Sequence, residues 1–180
     1  EAPKKLKAYL VPAAFLSYGL VSMTDHSPLR KLDWQTRNEL REDHPYFSIK
    51  ADNYLQFSPA LLAMGFHLSG FEGRHNMRDA GGLYLLSFAM MAASVSSVKQ
   101  LNIRTRPDLS AQNSFPSGHT ATAFAAAEFL RQEYKDRSPI ISYAGYGLAI
   151  ATGALRMYNN RHWASDVVAG AGFETMILWL

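Results

Sequence analysis

The residues of this chain that could do chemistry lie in three short segments of its second half. Together they supply three fixed cations, two histidines and one carboxylate. The segments are Lys99-x6-Arg106-Pro107, Pro116-Ser117-Gly118-His119 and Arg156-x5-His162-x3-Asp166. Cationic side chains bind phosphate oxygens, one imidazole can attack phosphorus, and a second can protonate the group that leaves. The set therefore predicts a site that binds and hydrolyses a phosphate ester.

The tetrad Pro116-Ser117-Gly118-His119 has the pattern of a helix start. Ser117 is a preferred N-cap residue, and Gly118 lets a ligand come close to the backbone. The N–H groups of a first helical turn have no partner within the helix, and the helix dipole is positive there. We therefore expect an anion site with His119 beside it. The alternative is an ordinary helix cap with an incidental histidine.

The segment from Arg156 to Asp166 carries a histidine and a carboxylate four residues apart. On a helix, His162 and Asp166 would share one face and could form a hydrogen bond. A carboxylate on one imidazole nitrogen fixes the tautomer and leaves the other nitrogen free as a nucleophile or base. Arg156 lies one turn earlier, across the Asn159-Asn160 turn, and could bind the same anion. The alternative is a surface His–Asp pair.

The first segment places two cations on either side of a loop entry. Lys99 and Arg106 could bind phosphate, or they could be a helix-end cation and a solvated loop charge. We expect Arg104, between them, to be a solvated neighbour. The other four histidines show no metal-ligand spacing, and we interpret them as isolated structural or solvated residues: His26, His44, His67 and His75.

These residues must be positioned by helices, because the apolar residues show no alternating strand pattern. Four uncharged runs are close to the length of a membrane-spanning helix, and two shorter apolar segments carry a glutamate each. The four are Ala8–Thr24, Tyr54–Phe71, Ala80–Val98 and Ser138–Leu155, and the two are Gly118–Leu130 with Glu128 and Val167–Leu180 with Glu174. The sequence thus predicts an all-α bundle of six helices in one domain, residues 1–180.

We expect this bundle to be transmembrane, with a short amphipathic helix over Leu29–Arg41 in its first outer loop. If the six segments cross in turn, all three motifs lie on one face. Lysines near the N-terminus and basic residues after the fourth segment lie on the other face, which the positive-inside rule makes cytoplasmic. The alternative is a soluble six-helix bundle, favoured by the slightly negative mean hydropathy.

The composition bears on two other classes of protein, disulfide-bonded proteins and nucleic-acid-binding proteins. The 180 residues include no cysteine, so disulfides are excluded, and a net charge of +3 without a basic stripe argues against a nucleic-acid partner.

With these motifs the chain resembles the type-2 phosphatidic acid phosphatase superfamily. The family signature is Lys-x6-Arg-Pro, Pro-Ser-Gly-His and Ser-Arg-x5-His-x3-Asp, and this chain departs from it only at Leu155, where the family has serine. The resemblance implies metal-independent hydrolysis through a phosphohistidine, without a cofactor. It implies His162 as nucleophile, Asp166 as its orienting carboxylate and His119 as general acid. It also implies a phosphate-binding set of Lys99, Arg106, Ser117, Gly118 and Arg156.

A membrane bundle with its site at the outer edge favours a lipid phosphate as substrate. The candidates are phosphatidylglycerol phosphate, phosphatidic acid, undecaprenyl pyrophosphate and a lipid A phosphate, in a bacterial inner membrane with the site facing the periplasm. Three alternatives stay open: a soluble acid phosphatase or vanadium haloperoxidase, a non-enzymatic scaffold that retains the site, and a solubility-altered variant of a membrane enzyme.

Overall fold

A computed structural model describes residues 2–177, and within them the chain forms α-helices and no β-strand. The helices are α1 (Ala2–Ser22), α2 (Pro28–Asp43), α3 (Asp52–Leu55), α4 (Ser58–Leu68), α5 (Met77–Leu101), α6 (Gly118–Tyr134), α7 (Pro139–Tyr158) and α8 (Ala164–Ile177). The predicted all-α class is confirmed. The predicted amphipathic helix is α2, which begins after Ser27, whose hydroxyl accepts a hydrogen bond from the Leu29 N–H at 3.2 Å.

The predicted continuous segment Tyr54–Phe71 is wrong. It is divided into α3 and α4 because Pro59 lies in the first turn of α4. A proline there has no N–H to donate, and its ring would clash with the carbonyl of Leu55 in a continuous helix. That carbonyl instead accepts a hydrogen bond from the Ser58 hydroxyl at 2.7 Å. With 11 residues, α4 is about 16 Å long, well short of a bilayer core.

Among the described residues, one helix is both long and apolar enough to cross a membrane, the 25-residue α5. The other predicted segments correspond to α1, α6, α7 and α8, but the number of six crossing helices is not confirmed. The last three residues of the predicted segment Val167–Leu180 lie outside the described range.

Small residues let the central helix α6 pack closely against α7 and α8. A Cβ atom on Gly145 of α7 would lie 3.0 Å from the Cα of Ala127, and one on Gly170 of α8 would lie 3.2 Å from the Cβ of Thr120. Close approach at small residues is a typical way for membrane helices to associate. Large apolar side chains meanwhile cover the outer faces of α1, α4, α5 and α7, among them Leu10, Val11, Leu20, Leu61, Leu68, Leu85, Leu86 and Ile150.

The carboxylate of Glu128 is buried inside the bundle but is not alone. It accepts hydrogen bonds from Arg131 Nε and from Gln132 Nε2, both at 2.7 Å, and from the Tyr146 hydroxyl. The predicted cost of an intramembrane carboxylate is therefore offset by local donors. The side chain of Glu174, the other predicted intramembrane carboxylate, lies outside the described residues.

Two of the histidines predicted to be isolated share a buried carboxylate. Glu133 Oε1 lies 2.7 Å from His75 Nδ1, and Glu133 Oε2 lies 3.9 Å from His67 Nε2. His75 is therefore not isolated, because its partner lies on a helix far away in sequence, whereas within the described residues neither ring nitrogen of His67 has a hydrogen-bond partner. This cluster ties the loop between α4 and α5 to the C-terminal end of α6.

At the opposite end of the bundle, the C-terminal ends of α5 and α7 meet the N-terminal ends of α6 and α8. The helices α2 and α3 and the loop of residues 102–117 cover this end. The three motifs predicted to lie on one face all lie there.

Candidate active site

Ser117 anchors the N-terminal end of α6, where the sequence predicted a cap. Its hydroxyl accepts hydrogen bonds from the Thr120 N–H at 3.4 Å and the Thr120 hydroxyl at 2.8 Å, and its own N–H donates to the Asp166 carbonyl at 3.0 Å. The side chain is fully buried, and its hydroxyl is already bonded by Thr120. What remains available to an anion at this turn is the backbone N–H of Gly118 and of His119, since first-turn N–H groups have no intrahelical acceptor.

The Asp166 carboxylate accepts three hydrogen bonds. Its Oδ1 accepts from Arg104 Nη1 at 2.7 Å, and its Oδ2 accepts from the Ser114 hydroxyl at 2.5 Å and the Trp163 N–H at 2.9 Å. His162 Nδ1 lies 3.6 Å from the same Oδ2. The structure brings this pair together as the spacing predicted, but His162 lies just before α8 and the contact is longer than a hydrogen bond.

His162 lies in the loop between α7 and α8 with 3% of its surface exposed. Burial lowers the pKa of its ring; the Asp166 carboxylate acts to raise that pKa, and the nearby Arg156 and Lys99 cations lower it further. The net shift is downward, so the ring is neutral at pH 7. A neutral imidazole with a carboxylate beside Nδ1 has Nε2 as its nucleophilic atom.

Of the three predicted cations, Arg156 and Lys99 lie near His162, and Arg106 lies near Arg156. Arg156 is buried, and its Nη1 donates to Asp52 Oδ2 at 2.5 Å. Lys99 Nζ donates to the Asn113 carbonyl at 2.6 Å. Within the described chain, the Nε atoms of Arg106 and Arg156 are buried and have no hydrogen-bond partner. Two buried guanidinium N–H groups therefore lack an acceptor that an anion could supply.

A polar cavity of about 350 Å³ opens beside these cations. Arg106, His119 and Arg156 line it, together with residues of α3 and the preceding loop. His119 Nε2 lies 2.9 Å from Asn53 Oδ1. Lys99, Ser117, His162 and Asp166 are not among the lining residues and lie behind this wall. Over residues 2–177, no group of three or more histidines or carboxylates is arranged to hold a metal ion.

Arg104, predicted to be a solvated neighbour, is in fact part of the site's framework. Its side chain is 12% exposed and donates to Asp33 Oδ2 and Asp166 Oδ1, each at 2.7 Å. Asp33 and Asp52, both buried acids of the first third of the chain, were also missed. In the sequence, both are acidic residues between the first two predicted membrane segments. Nothing at these positions distinguishes them from solvated acids.

The chain is similar to part of one curated relative. The chain is 43% identical over 134 residues to the lipid A 1-phosphatase of Porphyromonas gingivalis. The match covers 73% of this chain and 30% of the relative's length.

Two solved structures share the fold. The transmembrane PAP2-type phosphatidylglycerolphosphate phosphatase of Bacillus subtilis superposes with a TM-score of 0.64 and 19% identity, covering 97% of this chain and 92% of that one. LpxE of Aquifex aeolicus superposes with a TM-score of 0.53 and 22% identity, covering 78% and 90%. The profile of the PAP2 superfamily matches residues 80–180, more than half of the chain and all three motifs. On this match, the chain belongs to the PAP2 superfamily.

Proposed function

We propose that this protein hydrolyses a phosphate monoester or pyrophosphate on a membrane lipid, without a metal, through a phosphohistidine. The observation that carries the proposal is the pair of buried guanidinium Nε groups that lack a partner, beside a polar cavity and two histidines. Buried donors without acceptors are costly unless a ligand satisfies them. A phosphate group has the charge and the oxygens to do so.

In the proposed reaction, His162 Nε2 attacks phosphorus, a P–N bond forms and the P–O bond to the lipid breaks. His119 donates a proton to the departing oxygen as general acid. Water then attacks the phosphohistidine, His119 takes its proton, and the P–N bond breaks to release inorganic phosphate. Asp166 beside Nδ1 orients the ring and stabilises the positive charge that develops on it.

The cations and first-turn N–H groups would bind the non-bridging oxygens. Arg106, Arg156 and Lys99 provide three positive charges where negative charge develops in the transition state, and this stabilisation needs no reorganisation when it is built in advance. Arg156 keeps its Nε–H free while Nη1 binds Asp52, so Nε can donate to a phosphate oxygen without the loss of that partner.

The lipid part of the proposal rests on the outer surface of the bundle and on the relatives. Exposed large apolar side chains cover several helices, as on proteins that face lipid rather than water. The name of the curated relative makes a lipid A 1-phosphate the first candidate substrate, and the Bacillus subtilis structure makes phosphatidylglycerol phosphate the second. Phosphatidic acid and undecaprenyl pyrophosphate complete the set. We place the protein in a bacterial inner membrane with the site toward the periplasm.

The test is release of inorganic phosphate from these four lipids by the full chain in detergent, with EDTA present. We expect activity that EDTA does not change, and a loss of at least about 1,000-fold in His162→Ala, as for other nucleophiles. His26→Gln is the matched control, because His26 is exposed and does not line the cavity. Mass spectrometry of an alkaline-quenched reaction should detect phosphate on His162.

Other outcomes point to other functions. Hydrolysis of small soluble esters but of no lipid would indicate an acid phosphatase. Bromide oxidation that depends on added vanadate would indicate a haloperoxidase. A folded protein that hydrolyses none of the four lipid phosphates would overturn the proposal.

A further inference from the structure

Arg104 joins two buried carboxylates that come from opposite ends of the sequence. Its Nη1 donates to Asp166 Oδ1 and its Nη2 donates to Asp33 Oδ2, both at 2.7 Å. The guanidinium also lies over the Trp163 ring, 5.9 Å from its centroid. A guanidinium held on two sides and against a ring has little freedom to move, because its planar fork fits two carboxylates at once.

Asp33 holds the other side of this arrangement. It is 1% exposed on α2, its Oδ1 accepts from the Ser165 N–H at 2.9 Å, and its Oδ2 accepts from the Ser165 hydroxyl at 2.5 Å. Ser165 also accepts a hydrogen bond from Arg104 Nη1 at 2.9 Å. Asp33 therefore fixes both the arginine and the first turn of α8, the turn that carries Asp166.

The two oxygens of Asp166 have different tasks. Arg104 binds Oδ1, so Oδ2 is turned toward the Ser114 hydroxyl, the Trp163 N–H and His162 Nδ1. Without Arg104, the carboxylate could rotate, and Oδ2 would no longer be held beside Nδ1. The position of the Asp166 charge relative to the His162 ring would then no longer be fixed.

We propose that Arg104 and Asp33 are positioning residues, which fix the Asp166 carboxylate and through it the ring orientation and tautomer of His162. The effect of this positioning on catalysis rests on the proposed function. Through Asp33, the helix α2 would thus contribute to the active site, although it lies outside the residues 80–180 that the family profile matches.

A purely structural ion-pair cluster would also be lost on mutation, so stability alone does not test the proposal. The test compares Arg104→Gln and Arg104→Lys with Arg30→Gln, in the full chain in detergent. Arg30 lies on α2 and pairs with Asp25, away from Asp166. We expect kcat to fall by about 10- to 100-fold in Arg104→Gln, the usual effect of removing a group that orients a reacting side chain. KM and inhibition by inorganic phosphate should change little, since the phosphate-binding groups are intact.

The lysine variant separates charge from geometry. A lysine keeps one positive charge but cannot bridge two carboxylates with a planar fork. We therefore expect Arg104→Lys to restore less than half of the lost kcat. Asp33→Asn should also lower kcat. The double variant Asp33→Asn/Arg104→Gln should be no slower than Arg104→Gln, because both residues act through Asp166.

A spectroscopic readout keeps the test independent of turnover. Long-range ¹H–¹⁵N spectra of histidine-labelled protein report the tautomer of each ring, and His162→Gln assigns the signal. We expect one His162 tautomer, protonated at Nδ1, in the wild type and in Arg30→Gln, and a mixture in Arg104→Gln. An active wild type with unchanged kcat and tautomer in both Arg104 variants would overturn this inference alone. An inactive wild type would overturn the proposed function, and the tautomer would still decide the role of Arg104.

Discussion

His162 lies near a carboxylate and two cations, and the effect of its near-complete burial on the ring pKa outweighs that of the carboxylate. Desolvation penalises the charged ring, so the pKa is lower than the ordinary 6.5 even though Asp166 acts to raise it. The proton-binding step of this histidine therefore lies on the acid side of pH 6.5, and the neutral, nucleophilic form is dominant throughout the neutral range.

We accordingly predict that the His162 ring titrates below pH 6.5 in the substrate-free protein. The ring chemical shift, followed from pH 8 downward in labelled protein, measures this directly. The acid limb of the kcat/KM profile should lie in the same range, because kcat/KM reports the free enzyme. A ring that titrates at or above pH 6.5 would contradict the burial argument.

Asp52 holds the guanidinium that the proposed substrate needs. Its carboxylate is 1% exposed and bonds Arg156 Nη1. In Asp52→Asn the side chain keeps its shape but loses the charge that neutralises Arg156. We predict that inorganic phosphate binds about tenfold more tightly, equivalent to about 1.4 kcal/mol, as measured by product inhibition or calorimetry.

Asp25→Asn is the control for this variant. It removes a carboxylate that pairs with Arg30 and does not line the active-site cavity. Phosphate affinity that is equal in the two variants, or weaker in Asp52→Asn, would show that Asp52 does not compete for Arg156.

At the scale of helices, the contact between α6 and α7 depends on glycine at one position and not at another nearby. A Cβ on Gly145 would lie 3.0 Å from the Ala127 Cα and 3.1 Å from the Leu130 side chain. A Cβ on Gly147, two residues along the same helix, would meet no atom within 4 Å. The two positions therefore form a matched pair.

We predict opposite effects of alanine at these positions on thermal unfolding in detergent. Gly145→Ala should destabilise the protein by about 1–3 kcal/mol, because an overpacked contact forces the helices apart. Gly147→Ala should be neutral or stabilising by up to about 1 kcal/mol, since alanine is the better helix former. Equal destabilisation by both variants would mean that close packing of α6 on α7 does not hold them together.

The sequence signals that succeeded are local ones. The cap at Ser117, the helix α2 after Ser27-Pro28 and the contact of His162 with Asp166 each involve residues within a few positions of one another. The break before Pro59 is local too, and was missed because the uncharged run around it was counted as one segment.

What could not be predicted depends on distant partners. Arg104 looks like any loop arginine, because its partners Asp33 and Asp166 lie 71 and 62 residues away. Asp52 lies 104 residues from Arg156. Hydropathy and spacing carry no information on such pairs, so Asp33 and Asp52 were not predicted as part of the site.

At the scale of the whole molecule, the two ends of the bundle differ in what they carry. The motif residues and α2 lie at one end, whereas Arg137 and the turn between α6 and α7 lie at the other. Exposed apolar side chains lie on the helices between them. Such a distribution suits a protein whose middle is in lipid and whose ends are in water, with basic residues favouring the cytoplasmic side.

The absence of cysteine from the chain allows a clean test of this orientation. Gln112, in the loop of residues 102–117, and Asp136, between α6 and α7, are both exposed. In intact spheroplasts of a bacterium expressing the protein, a membrane-impermeant maleimide should label Gln112→Cys and leave Asp136→Cys unlabelled. Both should react after permeabilisation, which is the control for access.

Each other labelling pattern has a distinct meaning. Labelling of Asp136→Cys alone would invert the proposed orientation, and labelling of both in intact spheroplasts would show that no bilayer separates the two ends. The expected pattern would place the cavity on the periplasmic side of the membrane. A phosphate on a lipid head group could then enter the cavity while its acyl chains remain in the membrane beside the apolar faces of the helices, so orientation and substrate class would support each other.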